Sequence, residues 1–421
     1  MHEWKERQLK DIFPISTPGE WGAEPDGINN FIVLRAADFT KDCKLRDEIG
    51  VHRKIPVRKI RDRELIRGDI LIEKSGGSPD QPVGRVVLFN KDDKGYSFSN
   101  FLQLLRVSAD YEPTWAYYLL VSLYETNVVL NYQQQTTGII NLKLEEYLCE
   151  KVQIPAKKSE QQKIAHILTT VDNLIEKTQS LIDKYTAVKQ GMMHDLFTRG
   201  VDVATGELRP SYEQAPQLYK ETELGWVPRE WEVRSFDEIA EFVNGNSFKS
   251  DEWRESGLPI IRIQNLNGEN TFNYFDGKVD PKWKVKCGDL LFAWAGQRGV
   301  SFGPRIWSGQ DGVLNQHIFK VTENPDRVDR FFLLCLLRQK IEVIEDAAHG
   351  FKDSFLHVTR GEITGIHIAL PGKDEQKTIT EKISKVERAL DLERGHLKKY
   401  RLIKKGLMQD LLTGKVRVAT E

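Results

Sequence analysis

One segment of the sequence occurs twice, and this duplication limits the possible folds more than any other feature. Ser159–Val201 aligns with Asp374–Val416 without a gap. Both copies open with a Glu-Gln pair, at Glu160-Gln161 and at Glu375-Gln376. So many identities in one register do not arise by chance. The chain therefore contains two copies of one structural element.

The duplication extends backwards from these segments. Ile154-Pro155 precedes the first copy and Leu370-Pro371 the second, while Glu3-Trp4 and Glu230-Trp231 begin the regions upstream. The whole chain is therefore predicted to be a tandem duplication with a pseudo-two-fold axis, joined by a segment without periodicity. We predict a first globular domain, a first repeat helix, a linker, a second globular domain, a second repeat helix and a tail, at 1–155, 156–200, 201–223, 224–371, 372–416 and 417–421.

Both repeated segments carry apolar residues at alternating steps of four and three, the pattern of a coiled-coil seam. Two seams of equal length, separated by a globular domain, can pair antiparallel within one chain. The predicted pairing positions are Ile164, Leu168, Val171, Ile175, Ile182 and Tyr185 in the first helix, and Ile379, Ile383, Val386, Leu390, Leu397 and Tyr400 in the second. Lys189 and Lys404 occupy one seam position, and polar seam residues fix the register of a coil. The alternative is that each helix packs on its own globular domain.

The regions upstream of the helices mix short strands with one helix each. Equivalent Gly-Asp turns at Gly68-Asp69 and Gly288-Asp289 open buried strands. The predicted strands are Phe31–Leu34, Asp69–Ile72, Val83–Phe89, Pro259–Ile263, Asp289–Trp294 and His317–Val321, and the predicted helices are Trp115–Tyr124 and Arg330–Glu345. The fold class is therefore α+β, with two α/β domains and two long helices that form an antiparallel coiled coil. The two domains share a scaffold but differ in their loops, so we expect them to read different ligands.

Composition and missing motifs argue against an enzyme. The net charge is −1, and any phosphate-binding surface must therefore be local. The sequence lacks phosphate-binding, dinucleotide-binding and paired metal-ligand motifs, and its nine histidines are scattered, including His357 upstream of the second helix. The four cysteines are far apart, so we expect separate buried thiols in a reducing cytoplasm. No apolar run is long enough to span a membrane, and the N-terminus has no secretory signal core.

Two basic stretches suit phosphate contacts, but a solvated charged face explains them equally well. The first is laced with acidic residues, which weakens the case for it. The stretches comprise Arg53, Lys54, Arg58, Lys59, Arg61, Arg63 and Arg67, and then Lys398, Lys399, Arg401, Lys404 and Lys405.

The repeated segments resemble those of the specificity subunit of type I restriction-modification enzymes. Each begins with E-Q-x-x-I and ends with G-x-M-x-D-L-x-T, at Gly191–Thr198 and Gly406–Thr413. Leu224–Trp231 resembles that family's entry into its second recognition domain, and so do Gly350–Phe355 and its counterpart Thr136–Asn141. The resemblance covers essentially the whole chain.

The resemblance implies that each recognition domain reads one half of a bipartite, asymmetric site in double-stranded DNA. The paired helices would set the gap between the halves. Two modification (methyltransferase) subunits would supply S-adenosylmethionine and adenine methylation, and two restriction (motor-nuclease) subunits would use ATP and Mg. This chain would then hold no cofactor and no metal, and would catalyse nothing.

Base edges are read by amides, arginines and hydroxyls on loops beside rigid strands. The candidates in the first domain are Arg35, Lys74, Ser75, Ser78, Gln133, Gln134, Gln135, Thr136 and Thr137. Those in the second are Ser247, Lys249, Arg262, Gln264, Asn265, Gln297, Arg298, Asn315, Gln316, Lys352 and Ser354. Two other interpretations stay open: a specificity module of a single-chain restriction-methylation enzyme, and a coiled-coil adaptor that binds only protein.

Overall fold

The computed structural model describes residues 4–28, 30–78, 81–136, 139–348 and 355–419. It divides into two compact units. Unit 1 comprises Met1–Ser180 and Arg394–Glu421, and unit 2 comprises Leu181–Glu393. Each unit thus contains one predicted recognition domain, the first part of that domain's own repeat helix and the last part of the other repeat helix.

Unit 1 is built from short strands, short helices and the two long-helix segments. Its strands are β1 (Trp4–Gln8), β2 (Ile15–Pro18), β3 (Asn30–Leu34), β4 (Val51–Lys54), β5 (Ile70–Glu73), β6 (Ser75–Gly77), β7 (Val86–Leu88), β8 (Tyr96–Phe98), β9 (Leu102–Arg106), β10 (Gln133–Thr136), β11 (Ile139–Leu142) and β12 (Lys151–Pro155). Its helices are α1 (Leu9–Ile12), α2 (Val57–Ile60), α3 (Pro113–Glu125), α4 (Leu144–Tyr147) and the start of α5 (Lys158–Thr198).

Unit 2 repeats this plan after a hairpin. Its strands are β13 (Tyr219–Thr222), β14 (Gly225–Pro228), β15 (Glu232–Ser235), β16 (Ala240–Asn244), β17 (Leu258–Ile261), β18 (Tyr274–Phe275), β19 (Lys284–Val285), β20 (Leu290–Ala293), β21 (Ala295–Gly296), β22 (Gly303–Ile306), β23 (Gly312–Leu314), β24 (Ile318–Glu323), β25 (Leu356–His357) and β26 (His367–Leu370). Its helices are α6 (Phe236–Ile239), α7 (Ile263–Leu266), α8 (Arg330–Gln339), α9 (Ile341–Ala347), α10 (Arg360–Thr364) and the start of α11 (Lys373–Leu412).

The sheet topologies of the two units match. The order β2-β9-β5-β7 in unit 1 corresponds to β16-β24-β20-β22 in unit 2. The pairs β1-β12 and β15-β26 correspond as well, and so do β6-β11 and β21-β25. The duplication seen in the sequence is therefore a duplication of fold.

The central strand of each unit is buried on both faces. In unit 1, Ile70 and Ile72 of β5 face a core that includes Trp115 of α3, whereas Leu71 faces a second core with Phe98. In unit 2, the corresponding strand β20 alternates in the same way between two cores. Burial on both faces explains why the sequences of β5 and β20 are continuous apolar runs after their Gly-Asp turns.

The long helices pair antiparallel within each unit. In unit 1, Ile164 and Leu168 of α5 share a core with Met408 and Leu411 of α11, and further along α5 Asp172 lies 2.8 Å from Lys404. In unit 2, Leu196 of α5 and Ile379 of α11 share a core, and Lys189 lies 2.6 Å from Glu387. Residues further along α5 contact residues nearer the start of α11, which confirms the predicted antiparallel orientation.

The seam positions also pack against the globular domains. Ile164 and Leu168 belong to the same core as Leu9 and Trp115 of their own domain. All twelve predicted pairing positions are buried or half-buried. The two alternatives for the helices are therefore both partly correct, because one apolar stripe serves both contacts.

Three predictions from local sequence were wrong in detail. The predicted helix Arg330–Glu345 is two helices, because Lys340 leaves the helical region at φ −90° and ψ 5°. The strand predicted at Pro259–Ile263 ends at Ile261, and Ile263 opens a helical turn. The four cysteines are not all buried: Cys43 and Cys335 are, whereas two more are exposed, namely Cys149 and Cys287.

Candidate nucleic-acid interface

The repeated Glu-Gln pair attaches each long helix to its recognition domain. In unit 1, Trp4 Nε1 donates to Glu160 at 3.1 Å, and the Gln161 side chain joins the Glu112 N–H at the start of α3 to the Pro155 carbonyl. In unit 2, Trp231, Glu375 and Gln376 make the same contacts, with Gln376 joined to the Asp329 N–H and the Pro371 carbonyl. The Glu-Gln pair that opens both copies of the repeat is therefore a structural joint, which attaches each recognition domain to its helix.

A second joint lies further along each helix, at Asp172 of α5 and at Glu387 of α11. In unit 1, the buried Asp172 accepts from Tyr118 Oη of α3 at 2.7 Å and pairs with Lys404. In unit 2, Glu387 pairs with Arg338 of α8 at 3.1 Å and with Lys189. Burial and the neighbouring Asp172 carboxylate raise the pKa of Tyr118, so its hydroxyl stays a donor. Each joint connects three helices through one acid.

Most predicted base-reading residues of unit 1 gather on one small sheet. The three-stranded sheet β10-β11-β6 carries Ser75, Gln133, Gln134, Gln135 and Thr136. Lys74 and Ser78 flank β6 on either side. Thr137 lies outside the described residues.

The members of this group differ in exposure and in their internal hydrogen bonds. Gln134, Gln135 and Ser78 are exposed. By contrast, Ser75 Oγ lies 2.5 Å from Asn141 Oδ1, and Gln133 Nε2 donates to the Val83 carbonyl. Lys74 is half-buried, and burial lowers the pKa of its amine while Nζ donates to Gln103 at 3.2 Å.

Arg35 and Arg262 occupy equivalent places in the two units. Each directly follows a central strand of the second sheet, and its backbone N–H donates to the side chain three residues on, Asp38 or Asn265. Arg35 pairs with Asp38 at 3.0 Å and lines a cavity of about 440 Å³ together with Trp21 and Phe101. The Arg262 guanidinium lies 4.9 Å from the Trp253 ring centre and donates to Asn273.

The other predicted residues of unit 2 fall into two groups. Exposed side chains are those of Ser247, Lys249, Gln297 and Arg298, and Arg298 also lies 3.6 Å from Glu345. Gln264 and Gln316 are half-buried, and Asn315 is buried. Lys352 and Ser354 lie outside the described residues.

Asn265 has a structural role that the sequence did not indicate. Its side chain is 5% exposed. The amide oxygen accepts from the Arg262 N–H, and the amide nitrogen donates to the Glu269 and Thr271 carbonyls at 3.0 and 2.9 Å. This amide closes its own loop, so we do not carry it into the proposed interface.

Sequence reasoning passed over a group of rings in unit 2. Trp294 lies 5.2 Å from His317 and 5.4 Å from His357, measured between ring centres, and Phe355 lies 5.6 Å from His357. His357 and Phe355 are exposed, and Trp294 and His317 are half-buried. These residues are distant in sequence, so only the strand pairing brings them together.

Acidic partners neutralise much of the first basic stretch. Ion pairs join Arg53 to Glu24, Lys54 to Asp26, Lys59 to Glu20 and Arg67 to Asp92. Such pairs favour the solvated-face interpretation of this stretch. In the second stretch Lys404 is committed to Asp172, while its neighbours are exposed, namely Lys398, Lys399, Arg401 and Lys405.

Within the described part of the chain, no group of three or more His, Cys, Asp or Glu side chains is placed to bind a metal ion. No helix among these residues has both the length and the apolar character needed to cross a membrane.

Comparisons with known proteins point to one family. The type I restriction modification DNA specificity domain matches residues 1–184 and again residues 228–399. The type I restriction enzyme MjaVIII specificity subunit of Methanocaldococcus jannaschii is 26% identical over 99% of this chain and 98% of its own length. The putative type I restriction enzyme MjaX specificity subunit of that organism is also 26% identical, over 99% of this chain and 95% of its own length.

The fold agrees with a solved structure. The crystal structure of a type I restriction-modification system S subunit from M. genitalium superimposes with a TM-score of 0.60, covering 98% of this chain and 96% of that chain at 16% identity. The fold prediction is confirmed by this match. The interpretation as an adaptor that binds only protein finds no support among these relatives.

Proposed function

This chain belongs to the family of type I restriction-modification DNA specificity subunits, and from that premise we propose that each of its two units reads one half of a bipartite DNA site. The observation that carries this proposal is the repetition of one scaffold with different side chains. The strands after the Gly-Asp turns pair with equivalent neighbours in equivalent registers, yet Lys74 follows the strand in unit 1 and Trp294 in unit 2. A common frame with different contacts suits two different half-sites.

The long helices would hold the two readers at a fixed separation along the DNA. Their ends are tied to the recognition domains by buried joints at Glu160 and Glu375. Because each joint uses an indole, a carboxylate and an amide in fixed geometry, the reader cannot turn freely on its helix. A defined separation between half-sites follows from that rigidity.

Catalysis would come from partners. We propose that two modification subunits dock on this chain, bind S-adenosylmethionine and methylate adenine, and that two restriction subunits using ATP and Mg²⁺ join for cleavage. The net charge of −1 supports this division, because affinity for DNA phosphates would then depend largely on the partners.

Selection from random double-stranded DNA tests the proposal. The chain is incubated with the pool alone and together with its modification subunits, and retained DNA is sequenced at a stated salt concentration. We expect two short sequences at a fixed distance to be enriched. Retention without sequence enrichment, even with the modification subunits present, would contradict the proposal.

A further inference from the structure

Three backbone positions lie side by side at the same place in both units. In unit 1, the Lys74 N–H donates to the Phe101 carbonyl at 2.9 Å, and the Lys74 carbonyl accepts from the residue after Asn141. The strand register pairs Asn141 with Ser75, directly after Lys74. Lys74, Phe101 and Asn141 are therefore neighbours on three adjacent chain segments.

The corresponding contacts in unit 2 are the same. The Trp294 N–H donates to the His317 carbonyl at 3.2 Å, and the Trp294 carbonyl accepts from the residue after His357. The register pairs His357 with Ala295, directly after Trp294. Trp294, His317 and His357 thus occupy the places of Lys74, Phe101 and Asn141.

We propose that these two triads are the specificity-determining residues of the two units, reading base edges of double-stranded DNA. This inference rests on the proposed function and adds to it the residues that distinguish one half-site from the other. The triad of unit 1 is Lys74, Phe101 and Asn141, and the triad of unit 2 is Trp294, His317 and His357.

Exposure supports this assignment. Phe101 is 44% exposed, and Phe355, which extends the ring group of unit 2, is 51% exposed. A ring exposed beside buried strands is accessible to a ligand, and His357 of the unit 2 triad is exposed as well. The methyl group of thymine is an apolar feature of the major groove that such a ring can contact.

The polar atoms of the unit 2 triad also suit a ligand. Trp294 Nε1 donates to Asn244 at 2.9 Å, which fixes the orientation of the indole. Within the described residues, His317 Nδ1 is buried without a hydrogen-bond partner, which is costly unless a ligand or a rearrangement satisfies it. Burial and the neighbouring His357 lower the pKa of His317. The lowered pKa favours the uncharged imidazole, which carries one donor and one acceptor nitrogen.

The unit 1 triad has different chemistry on the same frame. It combines an amine, a phenyl ring and a carboxamide. Asparagine suits the paired donor and acceptor of adenine, and lysine suits the two acceptors of guanine. Lys74 Nζ already donates to Gln103 and Asn141 Oδ1 accepts from Ser75, but an ammonium group has three donors and an amide oxygen has two lone pairs. Two triads so different in chemistry are expected to select different bases.

Transplanting one triad into the other unit tests the inference. The variant Trp294→Lys, His317→Phe, His357→Asn, combined with the modification subunits, is put through selection from random DNA beside the parent chain. We expect the half-site read by unit 2 to change, with a loss of roughly 10- to 100-fold in discrimination at the affected bases. The other half-site and the spacing should stay as they are in the parent.

A single substitution at an exposed residue and a matched control distinguish a change in specificity from misfolding. His357→Asn changes one exposed side chain and should reduce discrimination at one position of the same half-site. Phe331→Ala removes another exposed ring of unit 2, 56% exposed on α8, and should leave both half-sites unchanged. Circular dichroism and the melting temperature establish that each variant is folded.

The outcomes separate this inference from the function on which it rests. If the parent chain enriches no sequence, the proposed function fails. If the parent enriches a bipartite site but His357→Asn and the triple variant, both folded, keep its two half-sites, the triads are not the specificity-determining residues.

Discussion

Removing the lysine from the buried ion pair of unit 1 should destabilise its unit more than removing the equivalent lysine destabilises unit 2. Lys404→Met and Lys189→Met remove the same charge from equivalent positions of the repeat. The Asp172 and Lys404 side chains are 10% and 14% exposed, whereas those of Glu387 and Lys189 are 31% and 25% exposed. The two variants are therefore matched in chemistry and differ in burial.

The expected free energies follow from that difference. Breaking a buried pair by removing one partner costs about 3–5 kcal/mol, because the other charge stays buried. Lys44, 3.7 Å from Asp172, and the Tyr118 hydroxyl compensate in part, so we expect Lys404→Met to cost about 2–3 kcal/mol. In unit 2, Arg338 remains 3.1 Å from Glu387 and water screens the pair, so Lys189→Met should cost about 0–1 kcal/mol.

Hydrogen exchange read by mass spectrometry resolves the two units separately. A loss of about 2 kcal/mol accelerates exchange through local opening roughly 30-fold. For Lys404→Met this acceleration should appear in peptides from 160–180 and 394–412. For Lys189→Met, peptides from 181–198 and 373–393 should accelerate by about fivefold or less.

Two results would refute the reasoning. Equal acceleration in both variants would mean that burial does not decide the strength of these pairs. A larger effect for Lys189→Met would mean that Arg338 does not compensate for the missing lysine.

Two further predictions concern reactivity and spacing. Burial raises the pKa of the thiols of Cys43 and Cys335 to about 11. A thiol reagent at pH 8 should therefore label two cysteines of the native chain, Cys149 and Cys287, and all four cysteines in urea. Rapid labelling of Cys43 in the native chain would contradict the described burial. Inserting four residues between Ile175 and Ile182 lengthens α5 by about 6 Å, so the tolerated gap between half-sites should change while both half-sites stay the same. Random-DNA selection measures both properties, and a changed half-site at unchanged spacing would argue against a spacer role.

The long helices and the duplication could be predicted because their signals are local. A heptad pattern depends on side chains three and four residues apart, and all twelve residues that it assigns to the seam are buried or half-buried. The break at Lys340 gave no such signal. No glycine or proline marks it, and the apolar run before it is continuous.

The site was harder to predict because strand pairing assembles it. Glutamines 133 to 135 could be grouped from their adjacency, but Trp294, His317 and His357 come together only through the register of separate strands. Asn265 shows the opposite failure. An amide after a strand looked available for base reading, yet the loop folds back and uses its hydrogen bonds.

The central claim is that two recognition domains on one duplicated scaffold each read one half-site. The most direct test is to map modified adenines in DNA from cells that contain this chain and its modification partners. We predict modified adenines within two short sequences at one fixed distance. Exchanging residues 1–155 for the corresponding segment of another specificity subunit should replace one of these sequences and preserve the other. A modification pattern that persists when the chain is removed, or an exchange that alters both sequences, would contradict the account.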